Sequence, residues 1–199
     1  MSFSSDIQST FISAAVASAT AISLAAGVGN NAALSIVGGS PFTLDAARKI
    51  TITCVGDDDA ISFTIVGLDQ LGNAATESLT GTDGGVSTSV GYWTSITSIT
   101  AVGDPANNVS AGTSNSVVAP IFGGRLRLQG LYAVNTGTAG TITFRETSPT
   151  GTIRMQFATV GSATSSEYPD IPDDGILFKD GGYVDYSPVN MSSITLFYA

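Results

Sequence analysis

The chain has 199 residues, of which 16 are acidic and 7 basic, for a net charge of −9; 43% are hydrophobic and only 12% charged. It has no histidine and one cysteine, Cys54, which excludes a Ser-His-Asp triad, a histidine metal ligand, a histidine pH switch, an internal disulfide and a paired-cysteine metal knuckle. The acidic balance argues against direct contact with nucleic acid, whose phosphates need Lys and Arg.

The first stretch that invites a reading is Phe11 to Gly27, rich in alanine and carrying Ile12, Val16, Ile22 and Leu24. Ser13, Ser18, Thr20 and Ser23 interrupt it, and Asp6 stands where a secretion signal would be positive. It is also too short and too polar to span a bilayer. The expectation is therefore synthesis in the cytoplasm, with no membrane partner and a free Cys54. Helix is expected only near the N-terminus, and even there Ala14 to Ala26 has an extended arm as its alternative, since its Ser and Thr residues dilute helix propensity. Such an arm suits pairing with a neighbouring subunit.

From Ile50 onward the period is two. Ile50, Ile52 and Cys54 share one face, as do Ile61, Phe63 and Ile65, which predicts half-buried antiparallel strands separated by the acidic turn Asp57-Asp58-Asp59. Asp69 to Asn73 predicts a hairpin into Ala74 to Leu79, and Gly81, Gly84 and Gly85 break the chain again. Val86 to Val102 is a further strand region containing Trp93, the only tryptophan. Its Ile96 and Ile99 are three apart, so a bulge is needed to keep both on one face. In the second half, Leu126 and Leu128 alternate with Arg125 and Arg127. Ile142 and Phe144 lead into a Pro/Gly loop, with Ile153, Met155 and Phe157 leading out as a hairpin. Tyr168 to Asp174 is a loop; Ile176 to Phe178, Tyr183 to Tyr186 and Ile194 to Tyr198 are short strands.

Ten or more short strands at this spacing predict an all-β protein, an antiparallel β-sandwich or jelly-roll, as one sandwich or two packed β-domains with an N-terminal arm. Residues 1–124 hold nine acids and two bases, Arg48 and Lys49, whereas residues 125–199 hold seven acids and five bases. With the Ser/Asn-rich run Ser110 to Ser116, this places boundaries that give an arm with first strands (1–45), a β-domain (46–119) and a C-terminal β-domain (120–199).

Candidate chemistry is sparse. Asp57, Asp58 and Asp59, and separately Asp170, Asp173 and Asp174 with Asp180 and Asp185, offer oxygens for a hard cation but lack the spacing of the twelve-residue calcium loop. A solvated turn and a proline-defined loop explain them as well, so no metal is assigned. A two-carboxylate hydrolase would draw on Glu77, Glu146 and Glu167, and nothing in the spacing brings two of them together. No G-x-S-x-G or phosphate-loop motif occurs. Gly27, Gly29, Gly38, Gly39, Gly84 and Gly85 read as turn glycines. Asn108 and Asn190 match the glycosylation acceptor pattern by chance in a chain with no secretion signal. The expectation is a non-enzyme with no catalytic residue and no cofactor. Trp93, Tyr92, Tyr168, Tyr183, Tyr186 and Tyr198 fit either core packing or stacking on sugars. Arg125, Arg127, Arg145 and Arg154 concentrate within 30 residues of an otherwise acidic chain. Of these, Arg125 and Arg127, one strand face in a basic-rich segment, are the candidate contact residues toward a partner or a second subunit.

One resemblance adds to this reading. Ile61 to Thr113 contains a strand, a D-x-x-G-N turn (Asp69 to Asn73), a strand bearing Thr76 and Glu77, a glycine break (Gly81 to Gly85), a Thr/Ser-rich strand (Tyr92 to Val102) and an N-V-x-x-G tail (Asn108 to Gly112). This order resembles structural proteins of tailed bacteriophages. The segments GTAGTITFRETSPTGTIRMQFAT, IPDDGILFKDGGYV and SSITLFYA are similar to the C-terminal part of phage virion proteins. The resemblance covers about residues 60–199. It implies a capsid decoration (cement) protein or a tail or head-fibre component, located in the virion and made in the host cytoplasm. The implied partners are the major capsid protein and copies of itself, as a homo-oligomer, with no direct nucleic acid. A fibre protein binding a host surface glycan is the alternative, marked by Trp93 and a tyrosine side by side in a solvent-facing groove; a glycan hydrolase is the third class.

Overall fold

The computed structural model describes residues 7–161, 164–172 and 174–199. Within them the fold is all-β and antiparallel, with no helix. Contacts divide the chain into two compact units: residues 16–115, and residues 1–15 together with 116–199. The division falls at Asn115/Ser116, inside one long strand.

The 16–115 unit contains β2 (Ser23–Gly27), β3 (Phe42–Cys54), β4 (Ser62–Asp69), β5 (Ala74–Thr80), β6 (Val86–Thr88), β7 (Trp93–Val102) and the first half of β8 (Asn108–Phe122). Its hydrogen-bonded order runs β8-β3-β7-β4-β5, with β2 beside β8 and β6 beside β3. Consecutive β3 and β4 are therefore not neighbours; β7 lies between them. Of the expected inward sets, Ile50, Ile52, Cys54, Phe63 and Ile65 are buried, and with Ile22, Leu34, Trp93, Ile96, Ile99, Val109 and Ala111 they form one core, while Ile61, just before β4, is partly buried against it. Each fully buried aliphatic side chain contributes roughly 1.5–3 kcal/mol. The bulge needed between Ile96 and Ile99 is present: Val66 pairs with Ser98 but Gly67 pairs with Ile96, so Thr97 is the extra residue and both isoleucines point inward. Gly67 is required there, since a Cβ would stand 2.0 Å from the Ser95 carbonyl oxygen.

The other unit contains β1 (Gln8–Ile12), the second half of β8, β9 (Leu126–Asn135), β10 (Gly140–Glu146), β11 (Ile153–Thr159), β12 (Ser166–Glu167), β13 (Ile176–Phe178), β14 (Gly182–Tyr186) and β15 (Met191–Tyr198). One sheet runs β1-β15-β9-β12, with β13 also on β9; the other runs β11-β10-β14-β8. They pack as a sandwich: a Cβ on Gly182 of β14 would meet Leu126 of β9 at 3.1 Å and Phe178 of β13 at 3.5 Å. Leu128, Leu131, Ile142, Phe144, Val184, Met191, Ile194 and Leu196 are buried in this unit. The β10–β11 hairpin forms around the Pro/Gly loop as the alternation predicts, with an irregularity that makes Arg154 the extra residue in the backbone register.

The N-terminal stretch is extended and is built into the chain's own sheets. Residues 8–12 pair with β15 of the same chain, and residues 23–27 with β8. The reason is burial: Ile12 of β1 and Ile22, just before β2, are 7% and 0% exposed, so each segment is held by the core its apolar side chain enters. The described part of residues 1–45 thus contributes to both units.

Candidate functional site

The two selected arginines occupy different environments. Arg125 is exposed and precedes β9, lining a small cleft with Gln8, Phe122, Leu126 and Tyr198. Arg127 is half-buried on β9. Its backbone exchanges two hydrogen bonds with Ala199, and its Nη1 donates to the Asp174 carbonyl at 2.7 Å. The remaining two are tied within the same unit. Arg145 Nε lies 3.7 Å from Asp185 Oδ2, and Arg154 donates Nε to Glu146 at 2.8 Å and pairs with it again through Nη2.

Asp58, Asp69, Glu77, Glu146 and Glu167 each accept hydrogen bonds that hold local structure. Asp58 is buried and its Oδ1 accepts the Ala106 N–H at 2.7 Å, whereas Asp57 and Asp59 face solvent. The three therefore do not converge. Asp170 and Asp174 are exposed, and Asp173 lies outside the described residues. Among the described residues no group of three acidic or cysteine side chains gathers as a metal site would require. Glu77 accepts the Val90 and Gly91 N–H groups at 2.6 and 3.0 Å, shaping the turn before β7. Glu146 accepts the Lys179 N–H, and this bond, ahead of Arg154 and against desolvation, holds its carboxyl below the ordinary carboxylate range. Glu167 accepts the Ser165 hydroxyl. Asp69 accepts the Leu71 and Asn73 N–H groups at 2.8 and 2.9 Å; desolvation opposes ionisation, but these backbone donors together hold the carboxyl below its usual range.

The aromatic residues separate into two sets. Trp93, Tyr92, Tyr183, Tyr186 and Tyr198 are 8% exposed or less, so the solvent-facing Trp93–tyrosine groove that would mark glycan binding does not form. The Lys49 ammonium lies 5.4 Å from the Tyr92 ring centre. Phe11 and Tyr168, by contrast, are 69% and 72% exposed. Register explains why they share a surface with others. In an antiparallel ladder, opposed residues lie on one face. Phe11 opposes Thr195, which opposes Tyr132; Ser9 opposes Phe197, which opposes Gly130. The alternate residues Ile12, Ile194, Leu196, Leu131 and Ala133 enter the core, so the first set must face outward.

The outer face of this sheet is thus aromatic and uncharged along those rows. The Tyr132 and Tyr168 rings lie 4.7 Å apart, and the Tyr132 and Ser166 hydroxyls are 3.0 Å apart. The Phe197 ring lies beside Gly130, where a Cβ would meet it at 3.2 Å, so the glycine leaves room for the ring. Beside it is a groove of about 470 Å³ lined by Ile7, Gln129, Gly130, Ile171, Pro172 and Phe197, none of them charged. Pro169 and Pro172 restrict the loop that forms its wall.

Sequence reasoning named Tyr168 only as one tyrosine among several and did not identify Phe11, Tyr132 or Phe197. Their common face depends on pairing between strands more than 180 residues apart. It also passed over Arg48, which is 1% exposed, paired to Asp45 at 2.9 Å and donating to Thr113 Oγ1 at 3.4 Å. Burial pushes the Cys54 thiol up, with the Asp58 carboxylate adding to the effect, so Cys54 is an inert core residue. No helix of the described residues is long and apolar enough to cross a membrane. Comparisons of the chain with protein-family models, with curated proteins and with solved structures find no match.

Proposed function

We propose that the protein is a virion structural protein, a capsid decoration protein that stabilises a phage head. The observation that carries this reading is the aromatic outer face of the β1-β15-β9-β12 sheet, uncharged along the rows Phe11–Thr195–Tyr132 and Ser9–Phe197–Gly130, on a chain whose net charge is −9. Contiguous exposed apolar surface on a folded protein marks an interaction site. Aromatic side chains are enriched at the centres of such sites, where charge is depleted. The sandwich holds the face rigid, because its other side is the core. A cement protein needs a robust scaffold, a docking face and no chemistry. Many identical contacts on a symmetric shell then add through multivalency, and each bound copy favours the assembled state by mass action. The partners are the major capsid protein and further copies of this chain, with Arg125 and Arg127 at the edge of the contact.

Cryo-electron microscopy of intact particles tests the reading. Density for the sandwich at regular lattice sites, with this face toward the shell, is the expected result. Density absent from the lattice overturns it. Arg125→Glu with Arg127→Glu is expected to lower occupancy, and unchanged occupancy removes those residues from the contact. A second reading, a fibre component that binds a host glycan, has its own support in the exposed Tyr132–Tyr168 ring pair beside the groove. Density confined to the tail or one vertex, together with saturable binding in a glycan array, would select it.

A further inference from the structure

The sheet edges of the molecule are guarded to very different degrees. Natural sheets blunt their edges with charge, proline, bulges or very short strands, because an open edge is a template for another strand. Among the described residues, β11 carries Arg154 and an interrupted register, β2 has a register shift between Ser23 and Ala26, and β5 carries Glu77 in mid-strand. Strands β6, β12 and β13 have three, two and three residues. Strand β1 is the exception. It has five residues, Gln8-Ser9-Thr10-Phe11-Ile12, with no charge and no proline. It pairs with β15 in unbroken register from Gln8↔Tyr198 to Ile12↔Ile194 and ends the order of its sheet. Its outward-facing Phe11 is 69% exposed.

We infer that β1 is a self-association edge, pairing antiparallel with β1 of a second copy across a two-fold axis at Thr10. The occupant follows from charge and symmetry. Two chains of net charge −9 repel, and they approach most readily through paired residues that carry no carboxylate; Gln8 to Ile12 and the outer-face residues beside them, Thr195 and Phe197, supply such a surface. An antiparallel ladder is its own two-fold partner, so no second complementary sequence is required. About Thr10 the ladder sets Thr10 against Thr10, and on the outer face sets Ser9 of each copy against Phe11 of the other. The outer faces of the two sheets then run on as one surface. The contact is small beside the roughly 1,200–2,000 Å² of a stable complex. It therefore belongs in the range of about 10 μM to 1 mM, and salt strengthens it by screening the net charge. The inference deepens the self-association included in the proposed function, and solution mass tests it without any particle.

The test is sedimentation equilibrium of the full chain from about 10 μM to 1 mM at low and high salt. Three variants are compared at exposed positions, each checked for an unchanged thermal transition. Wild type is expected to reach twice its 20.1 kDa mass, more readily at high salt. S9K/F11K sets like charges opposite one another twice and is expected to weaken association about tenfold or more; S9E/F11K sets opposite charges at the same two places and is expected to restore or tighten it. V55K/V90K, at positions 65% and 82% exposed in the other unit, adds the same charge as S9K/F11K and leaves the dimer intact. A wild type that stays monomeric at about 1 mM overturns the inference. So does a dimer on which S9K/F11K and S9E/F11K act alike. Neither result bears on whether the protein binds a particle, which the imaging experiment decides.

Discussion

The two units are built from the same kind of strand but differ in what they leave outside. The 16–115 unit holds eight acids and two bases, and one of the bases, Arg48, is buried. Its exposed large apolar residues are aliphatic, some on turns and between strands (Leu71, Val90) and some at strand positions (Leu24, Leu68, Val86, Val102). The other unit holds eight acids and five bases, and ladder register gathers Phe11, Tyr132 and Phe197 on one sheet face, with Tyr168 against Tyr132. Scattered surface hydrophobics need no explanation, whereas a contiguous aromatic face does. Under the proposed function, the second unit would dock and the first would serve as scaffold.

The comparison can be broken first at the cores. Phe63→Ala in the 16–115 unit and Phe144→Ala in the sandwich unit each remove a fully buried ring and are expected to cost about 3–5 kcal/mol in denaturant unfolding. Trp93, buried in the 16–115 unit, supplies a fluorescence signal specific to that unit, so Phe63→Ala is expected to lower the denaturant midpoint of the Trp93 emission shift. Next is backbone fit. Gly67→Ala would drive a Cβ into the Ser95 carbonyl and is expected to cost about 1–3 kcal/mol, as overpacking does. A smaller effect of opposite sign is expected in the sandwich unit. Thr147, in the β10–β11 loop, has φ of 74°, a conformation unfavourable for a β-branched residue and tolerated by asparagine. Thr147→Asn is expected to stabilise by about 1 kcal/mol, raising Tm by roughly 2–4 °C.

Acid sharpens the same comparison. Glu146 in the sandwich unit and Asp69 in the other both have folded-state pKa values below their ordinary ones. For a depressed carboxylate, the stabilisation is present above the unfolded pKa, about 4, and is lost as pH falls through the folded value. Tm is therefore expected to fall below about pH 4. Glu146→Gln or Asp69→Asn should flatten part of that decline while lowering Tm at neutral pH. A decline unaffected by either substitution would remove these two groups as its source.

Much of the fold is legible in the chain because it is local. The D-x-x-G-N turn carries its own explanation: the Asp69 carboxylate caps two N–H groups and Gly72 takes φ of 80°. The three-residue spacing of Ile96 and Ile99 announces the bulge at Thr97. What sequence could not supply is non-local. The pairing of β1 with β15, the burial of Arg48 and Asp58, and the alignment of Phe11 with Tyr132 through Thr195 arise from register between distant strands, which the shared core fixes and no short window contains. For the same reason the expected contact residues, Arg125 and Arg127, lie beside the aromatic face, while its members went unrecognised.

The most direct measurement is co-sedimentation of the purified protein with particles that lack it, comparing F11S/Y168A in the sandwich unit with L71S/V90S in the other. Both pairs are well exposed, between 58% and 82%, and both should leave stability within about 0.5 kcal/mol of wild type. The account predicts that F11S/Y168A loses binding about tenfold or more while L71S/V90S binds as wild type does. Equal binding by both, or loss confined to L71S/V90S, would contradict it.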